Sequence, residues 1–410
     1  MNRLKRLITL SMLAVLTLAA AYADAIGDFT SSRAINAPQA AVLIYDLKND
    51  REIASHNLDK PLIPASIMKA VTTATLLEKV GAGYRYVTPV YMTGRIDDGT
   101  LDGNILVEAS GDPSINTSNT PQTPDFITEI VDALKALKVT AIKGRIIVDE
   151  SRFPGPAINP QWSPGDLPHA YGTGTHGFNF EDNSSGRRSV ADPAGVFRTR
   201  LTSALRNAGI QVGGAQIDDH GRKHLLGEHR SAPVDEIMRS CMMRSDNQFA
   251  EAMLRLVGDK YGKTGTVEEG ARQETEFWKH RDASMQGVRI VDGSGLSRSN
   301  RVTARFMGDV LGRMARNPYY ASFFPLAGAE GTLKKFLADT ELAEWVAMKT
   351  GSMKGIQCYA GYKLDEDYAP THVVVVIMNE MSDRAAARAQ VEKLLLATFG
   401  SPAAEPQTDN

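Results

Sequence analysis

A serine and a lysine three residues apart are the chemical feature that most limits what this chain can do. Ser66-Ile67-Met68-Lys69 lies at the start of a segment, 65–80, whose residue pattern predicts a helix. Side chains three positions apart lie on the same helix face, so the Lys69 amine would reach the Ser66 hydroxyl. An adjacent base turns a hydroxyl into an effective nucleophile. The tetrad therefore predicts acyl transfer through Ser66, with Lys69 as the base.

Two further motifs follow in the chain, Ser245-Asp246-Asn247 and Lys349-Thr350-Gly351-Ser352. We expect Ser245 and Asn247 to pass the proton to the leaving amine and to hold the substrate amide. Lys349 and Thr350 would bind a terminal carboxylate. Gly351 would leave its strand open to close approach by other groups.

The predicted reaction also needs an oxyanion hole and a deprotonated base. The backbone amides of Ser66 and Ser352 would form the oxyanion hole, which is usually the largest single contribution to such catalysis. Lys69 can act as a base only if its pKa falls, and both burial and the charge of Lys349 would lower it. The predicted catalytic residues are therefore Ser66, Lys69, Ser245, Asn247, Lys349, Thr350, Gly351 and Ser352.

Helix and strand patterns that could position these motifs are both present. Strand patterns lie at 40–47, 51–55, 345–352, 358–364 and 373–378. Helix patterns lie at 65–80, 123–137, 195–209, 234–257 and 384–399. Ser245 is thus predicted to lie within a helix.

The chain is long enough for more than one core, and its texture changes after residue 86. Short strand patterns, one helix and a segment rich in Pro, Gly and Asn make up 87–188. We expect an inserted domain at 87–188, a catalytic domain at 26–86 plus 189–400, and a disordered tail at 401–410.

The N-terminus has the pattern of a secretory signal peptide. A basic start is followed by an apolar run, 7–20, that is short for a membrane span of ~20 residues. Ala23-Asp24-Ala25 places small residues at the two positions that a signal peptidase reads. We expect residues 1–25 to be removed and the protein to be periplasmic without a stable membrane anchor. An uncleaved anchor is the alternative.

Composition argues against several other functions. With 46 Lys and Arg against 48 Asp and Glu and no basic stripe, nucleic acid is not an expected partner. His220, His224 and His229 crowd one segment without an acidic or Cys ligand set, so we expect no metal and no other cofactor. Cys241 and Cys358 could form a bridge in an oxidising compartment, although buried free thiols are the simpler expectation.

Taken together, the three motifs resemble those of the class C low-molecular-mass penicillin-binding proteins, the D-alanyl-D-alanine carboxypeptidase/endopeptidase family. The resemblance spans 38–398 and includes Pro64-Ala65-Ser66, Ser110-Gly111-Asp112-Pro113-Ser114, Tyr171-Gly172, Asn179-Phe180, Asp292-Gly293-Ser294-Gly295-Leu296-Ser297-Arg298 and Gly331-Thr332-Leu333. It implies a penicillin-recognising serine transferase-like α/β (α+β) fold, an antiparallel sheet flanked by helices with a smaller inserted domain. The sequence departs from the family after Asn183, because a further small inserted domain is missing or reduced.

The same resemblance implies a serine-type carboxypeptidase that removes terminal D-Ala from peptidoglycan stem peptides and is inhibited by β-lactams. Endopeptidase cleavage of a D-Ala–diaminopimelate crosslink would use the same acyl-enzyme on Ser66, so the sequence leaves the balance of the two activities open. The family has a side pocket for a diaminopimelate-like side chain, and the matching positions here are Asp166, Tyr171, Arg298 and Met353, with Ser294 as a further expected substrate contact. Asp166 would face the ammonium and Arg298 the carboxylate, unless Arg298 forms a structural ion pair instead.

Two alternatives belong to other classes. A class A β-lactamase acylates through the same motifs but needs a glutamate for deacylation on a loop of its own. The nearest candidate, Glu251, follows Ser245 by only six residues and is predicted to lie on the same helix. A catalytically silent wall-binding protein would predict a broken motif, and all three motifs are intact.

Overall fold

The structure, a computed structural model, describes residues 22–121, 123–217 and 222–401. Residues 1–21 of the predicted signal peptide and 402–410 of the predicted tail lie outside this part. The α-helices are α1 (22–31), α2 (Met68–Val80), α3 (Phe126–Ala136), α4 (Pro193–Asn207), α5 (Val234–Arg244), α6 (Asn247–Tyr261), α7 (Val267–Lys279), α8 (Ala304–Met314), α9 (Pro318–Ala321) and α10 (Arg384–Phe399). Among the described residues, no helix combines the length and apolar character needed to cross a membrane.

The strands are β1 (Ala40–Asp46), β2 (Arg51–His56), β3 (Val87–Thr93), β4 (Arg95–Asp97), β5 (Thr100–Asp102), β6 (Ile105–Glu108), β7 (Ala141–Ile142), β8 (Ile146–Asp149), β9 (Ser184–Ser185), β10 (Arg188–Ser189), β11 (Gln211–Val212), β12 (Lys223–Arg230), β13 (Val346–Met353), β14 (Ile356–Leu364) and β15 (Pro370–Met378). They form a five-stranded sheet, two four-stranded sheets and one two-stranded hairpin. The predicted strands around the third motif are confirmed as β13, β14 and β15.

The five-stranded sheet is antiparallel throughout, in the order β13-β14-β15-β1-β2. Alternate residues of a strand point to opposite faces, and in β1 Ala41 and Leu43 join one hydrophobic core while Val42 and Ile44 join another. Helices α2, α5, α6, α7 and α8 cover the first face, and α1 and α10 cover the second. Because both faces are covered, the sequence of β15 is an almost unbroken apolar run. The predicted fold class is confirmed.

Helix α2 lies at the centre of the larger core and carries the first motif. Every residue from Met68 to Leu77 is buried, which is the behaviour of a helix surrounded by protein on all sides. Its threonines satisfy their hydroxyls locally, for example Thr73 Oγ1 on the carbonyl of Lys69 (2.8 Å). A 3-10 turn, Ala65–Ile67, precedes α2 and contains Ser66.

The helix predicted over 234–257 is in fact broken in the middle of the second motif. Helix α5 ends at Arg244, and Ser245 adopts a left-handed conformation with φ +61°. Helix α6 then begins at Asn247, with the Asp246 carboxylate accepting a hydrogen bond from the Phe249 amide (3.0 Å). An Asp at an N-cap satisfies amides that a helix start leaves free, so it favours a new helix here over a continuous one. The break points Ser245 and Asn247 into the site.

The inserted residues have a core of their own. Its two sheets have the orders β12-β3-β6-β8 and β11-β7-β5-β4. Four phenylalanine side chains pack together where these sheets meet helices α3 and α4, namely Phe126, Phe178, Phe180 and Phe197. Phe197 belongs to α4, and β12 pairs along β3, so both elements lie beyond the predicted boundary at 188. We propose that the inserted domain comprises 87–230.

A short hairpin occupies the place where the sequence departs from the family. Strands β9 and β10 pair Ser185 with Arg188 and Ser184 with Ser189. The hairpin is fastened to the preceding loop, since Ser189 Oγ donates to the carbonyl of Leu167 (2.6 Å) and Ala170 N donates to that of Arg187 (2.9 Å). It therefore supports the loop that leads to Tyr171.

Replacement of Phe197 by Ala tests the proposed boundary. Phe197 is fully buried, and deleting a buried Phe side chain costs about 3–5 kcal/mol of stability. We expect hydrogen–deuterium exchange to rise in α3 and in the strands of 87–149 and to stay unchanged in α2. Phe306→Ala in the larger core is the matched control and should give the reverse pattern. If Phe197→Ala speeds hydrogen–deuterium exchange in α2 alone, α4 belongs to the catalytic domain and the proposed boundary is wrong.

Candidate active site

The first motif brings its two functional groups into contact. Lys69 Nζ lies 3.0 Å from Ser66 Oγ, as the helical spacing predicts. The same amine donates to Asn247 Oδ1 (2.6 Å) and to the carbonyl of Ser294 (2.7 Å). Lys69 is 0% exposed, and burial lowers its pKa because a low-dielectric environment disfavours the charged amine. A base of this kind can accept the Ser66 proton nearer neutral pH than an exposed lysine can.

The second and third motifs meet through Lys349. Its Nζ donates to Ser245 Oγ (2.9 Å) and to the carbonyl of Thr350 (2.7 Å). Lys349 is fully buried, and burial together with the charge of Lys69 places its pKa well below the usual lysine value. Lys349 is therefore behind Ser245 and is not one of the residues that line the open groove.

Strand β13 packs against the turn that carries Ser66, and Gly351 makes this possible. A Cβ atom at residue 351 would lie 2.6 Å from the carbonyl oxygen of Pro64 and 3.0 Å from the amide nitrogen of Ser66. Both neighbours are backbone atoms that cannot rotate away. The sequence predicted that Gly351 allows close approach by another group, and in the structure that group is the turn that carries Ser66.

An open groove of about 1080 Å³ runs past Ser66. Ser66, Ser245, Asn247 and Ser352 line it at one end. Four residues of the predicted side pocket also line it, namely Asp166, Tyr171, Arg298 and Met353. The structure thus gathers residues that lie almost 300 positions apart around one groove, as the resemblance implied.

Within the side pocket, polar contacts hold the acidic and basic groups in place. Tyr171 Oη donates to Asp166 Oδ1 (2.9 Å), and the Tyr171 carbonyl accepts from Asn247 Nδ2 (2.7 Å). Arg298 Nη2 donates to the carbonyl of Lys354 (2.7 Å) and forms no ion pair with a described carboxylate. Its guanidinium can therefore still meet an incoming anion.

Ser294 differs from the expectation of a substrate contact. It is fully buried, and its hydroxyl accepts a hydrogen bond from the amide of Leu296 (3.2 Å). The contact that Ser294 makes with the site is its carbonyl on Lys69. Ser294, in the loop 292–298, thus supports Lys69 and lies outside the lining of the groove.

The comparisons with known proteins agree with this geometry. The model of the D-Ala-D-Ala carboxypeptidase 3 (S13) family matches residues 23–185 and 180–398. The chain belongs to this family. A carboxypeptidase DacB from Mycolicibacterium smegmatis is 27% identical over 347 residues, covering 78% of this chain and 72% of the relative. The enzyme class predicted from the sequence, a serine-type D-Ala-D-Ala carboxypeptidase, is confirmed.

Solved structures share the fold. Penicillin binding protein 4 from Haemophilus influenzae superposes with a TM-score of 0.78 at 22% identity, covering 92% of this chain and 99% of that protein. A predatory endopeptidase from Bdellovibrio bacteriovorus, solved acylated by penicillin G and bound to an immunity protein, gives a TM-score of 0.55 at 16% identity. That match covers 86% of this chain and 90% of the endopeptidase.

Two supporting residues of this S13 carboxypeptidase were missed as site residues. Asn379 accepts from the amide of Ile63 (2.9 Å) and donates to its carbonyl (3.0 Å), which fixes the segment before Ser66. Asp292 accepts four hydrogen bonds, from Trp162 Nε1, Gly295 N, Ser297 N and Asn300 Nδ2. A polar residue that directly follows the apolar run of β15 was the signal that could have found Asn379.

The structure describes two histidines of the histidine segment, and each lies in a strand. His224 and His229 lie in β12, where His229 is buried and its Nδ1 pairs with Glu129 Oε2 (2.6 Å), and His220 lies outside the described residues. Within the described residues, no group of three or more His, Cys, Asp or Glu could hold a metal ion. Cys241 and Cys358 are both free and buried.

Replacement of Gly351 by Ala should disable the site without unfolding the protein. The new methyl group must displace the turn that carries Ser66, and a displacement near 1 Å can cost roughly 10²-fold in rate. We expect that loss in the rate of acylation by a fluorescent penicillin. Gly312→Ala in α8 is the control, since a Cβ there meets nothing within 4 Å. Equal rates for the two variants would show that the close approach of β13 is dispensable.

Proposed function

We propose that Ser66 is the nucleophile and Lys69 the general base of this serine carboxypeptidase. The observation that carries the proposal is the 3.0 Å contact between Lys69 Nζ and Ser66 Oγ in a buried site that lowers the pKa of Lys69. Neutral Lys69 takes the proton of Ser66, and Ser66 Oγ attacks the carbonyl of the penultimate D-Ala. An ester to Ser66 forms as the peptide bond to the last residue breaks.

The remaining motif residues divide the other tasks of acylation. The amides of Ser66 and Ser352 stabilise the oxyanion as it develops. Ser245 lies between the groove and Lys349, so it can relay a proton to the leaving amine. Thr350 and Ser352 contact the terminal carboxylate, and buried Lys349 contributes its charge from behind Ser245. Hydrolysis of the ester by water then regenerates Ser66.

The side pocket supplies substrate preference. Asp166 and Arg298 line the same groove as Ser66, and a side chain that ends in both ammonium and carboxylate groups matches this pair. Tyr171 and Met353 provide the apolar surface between them. The substrate is therefore a peptidoglycan stem peptide with a diaminopimelate-like residue next to D-Ala. The fold shared with an endopeptidase supports cleavage of crosslinked stems as a second activity on the same acyl-enzyme.

A β-lactam should acylate Ser66 and remain attached. The candidate deacylating glutamate, Glu251, is 1% exposed, and its Oε1 accepts from the amide of Ser294 (2.8 Å), so it does not hold a water over the ester as a class A β-lactamase glutamate does. Intact-mass spectrometry with benzylpenicillin should show one stable adduct. Ser66→Ala should abolish it, and Ser203→Ala on the exposed face of α4 should not. Rapid turnover of penicillin without an adduct would make the protein a β-lactamase.

Muropeptides measure the peptidase activity directly. We expect purified protein to release D-Ala from pentapeptides and to split D-Ala–diaminopimelate dimers, with both activities lost in Ser66→Ala. If the protein forms an adduct with penicillin but releases neither product, it binds penicillin without peptidase activity, which contradicts the proposal. A wall-binding scaffold would also leave the cellular muropeptide profile unchanged in Ser66→Ala.

The protein works in the periplasm, after removal of residues 1–25. The basic start, the short apolar run and Ala23-Asp24-Ala25 support this placement, and so does a substrate that lies outside the cytoplasmic membrane. Sequencing of the protein from a periplasmic extract should begin at Ile26. Retention in the membrane fraction after a high-salt wash would contradict it.

A further inference from the structure

Glu251 is a buried acid next to the catalytic base, and neither the motifs nor the mechanism assigns it a role. It lies on α6 one helical turn after Asn247, so both residues lie on the same helix face. Asn247 contacts Lys69 directly. Glu251 is 1% exposed, and an acid is rarely this buried unless a specific contact requires it.

Glu251 acts on Lys69 through a single residue, Ser294. Glu251 Oε1 accepts from the amide of Ser294 (2.8 Å), and the carbonyl of the same Ser294 accepts from Lys69 Nζ (2.7 Å). The flanking loop is held independently by Asp292, which binds the amides of Gly295 and Ser297. Ser294 is thus clamped between the acid of α6 and the base of α2. Movement of the Glu251 carboxylate would move the carbonyl that orients Lys69.

The electrostatic surroundings link the two residues as well. Burial lowers the pKa of Lys69, and the carboxyl groups of Asp246, Asp292 and Glu251 oppose that shift when they are ionised. The neighbouring Cys241 thiol stays uncharged because burial raises its pKa to about 12, and Lys349 is the neighbouring cation. Burial and the Asp292 carboxylate in turn raise the pKa of Glu251 to about 8.

The surroundings of Glu251 contain further charged groups. Arg255 and Glu274 also interact with its charge. Glu251 Oε2 has no hydrogen-bond partner among the described residues, so the carboxyl group is held by one contact only, at Ser294. Loss of negative charge at this position would favour the neutral amine of Lys69.

We propose that Glu251 is a positioning residue for acylation: through Ser294 it holds Lys69 against Ser66, and its charge sets how readily Lys69 releases its proton. This inference rests on the proposed role of Lys69 as the base. It predicts two separable effects, one from the hydrogen-bond acceptor and one from the charge. Substitution by Gln removes only the charge, and substitution by Ala removes both.

The test is the pH dependence of acylation by benzylpenicillin, measured by stopped flow on the full mature protein. In Glu251→Gln, the profile should follow wild type below about pH 8, where Glu251 is already uncharged. The rate should rise above wild type only at higher pH, because a neutral neighbour no longer favours protonated Lys69. The plateau rate of this variant should stay close to wild type, since the amide oxygen still accepts from Ser294. In Glu251→Ala, the plateau rate should fall by roughly tenfold or more, because the Lys69 contact is no longer oriented.

The controls separate this inference from a general effect of charge or folding. Glu268→Gln, on the exposed face of α7, removes one negative charge and should leave the profile unchanged. A Glu251→Gln profile that coincides with wild type at every pH would overturn the inference, even if Glu251→Ala fails to fold. Failure of the wild-type protein to form any penicillin adduct would instead overturn the proposed function.

Discussion

Two lysine amines buried in one site are the constraint on which the rest of the structure depends. A buried cation is costly unless hydrogen bonds replace its lost water. Lys69 finds acceptors on Ser66, Asn247 and Ser294, and Lys349 finds them on Ser245 and Thr350. These acceptors come from four separate segments, so the fold must hold a helix start, a helix break, a loop and a strand together. The part of the burial cost that these hydrogen bonds do not offset lowers the pKa of both lysines. A lysine that is to accept a proton needs a lowered pKa.

The five-stranded sheet holds these segments in fixed positions. Strand β13 is the edge of the five-stranded sheet, and its neighbours β14 and β15 are buried on both faces. The edge strand meets the turn of Ser66 at Gly351, and Asn379, which follows β15, holds the segment before that turn through the amide and carbonyl of Ile63. The position of Ser66 is therefore fixed by two contacts with one sheet. Side chains placed on such elements keep their geometry better than those on loops.

The sequence was most informative where chemistry depends on local spacing. The spacing of three positions from Ser66 to Lys69 predicts their contact, and the apolar runs of β14 and β15 predict buried strands, because both are properties of neighbouring residues. The break at Ser245 was missed since a helical pattern on both sides outweighed the capping signal of Asp246. Glu251 was noted only as a candidate deacylating group, because its contact with Ser294 depends on residues 43 positions apart. The wider inserted domain that we propose, 87–230, could not be predicted for the same reason, because Phe197 finds its partners only in the folded chain.

Asn247 shows how the chemical centre and the side pocket are joined. Its Oδ1 accepts from Lys69, while its Nδ2 donates to the carbonyl of Tyr171. The amide offers an acceptor and donors on two separate atoms, whereas an ionised aspartate has no donor for the Tyr171 carbonyl. The hairpin of β9 and β10 supports the loop on which Tyr171 lies. A substrate side chain that shifts Tyr171 would therefore act on Lys69 through a single side chain, which gives the pocket a direct physical route to the base.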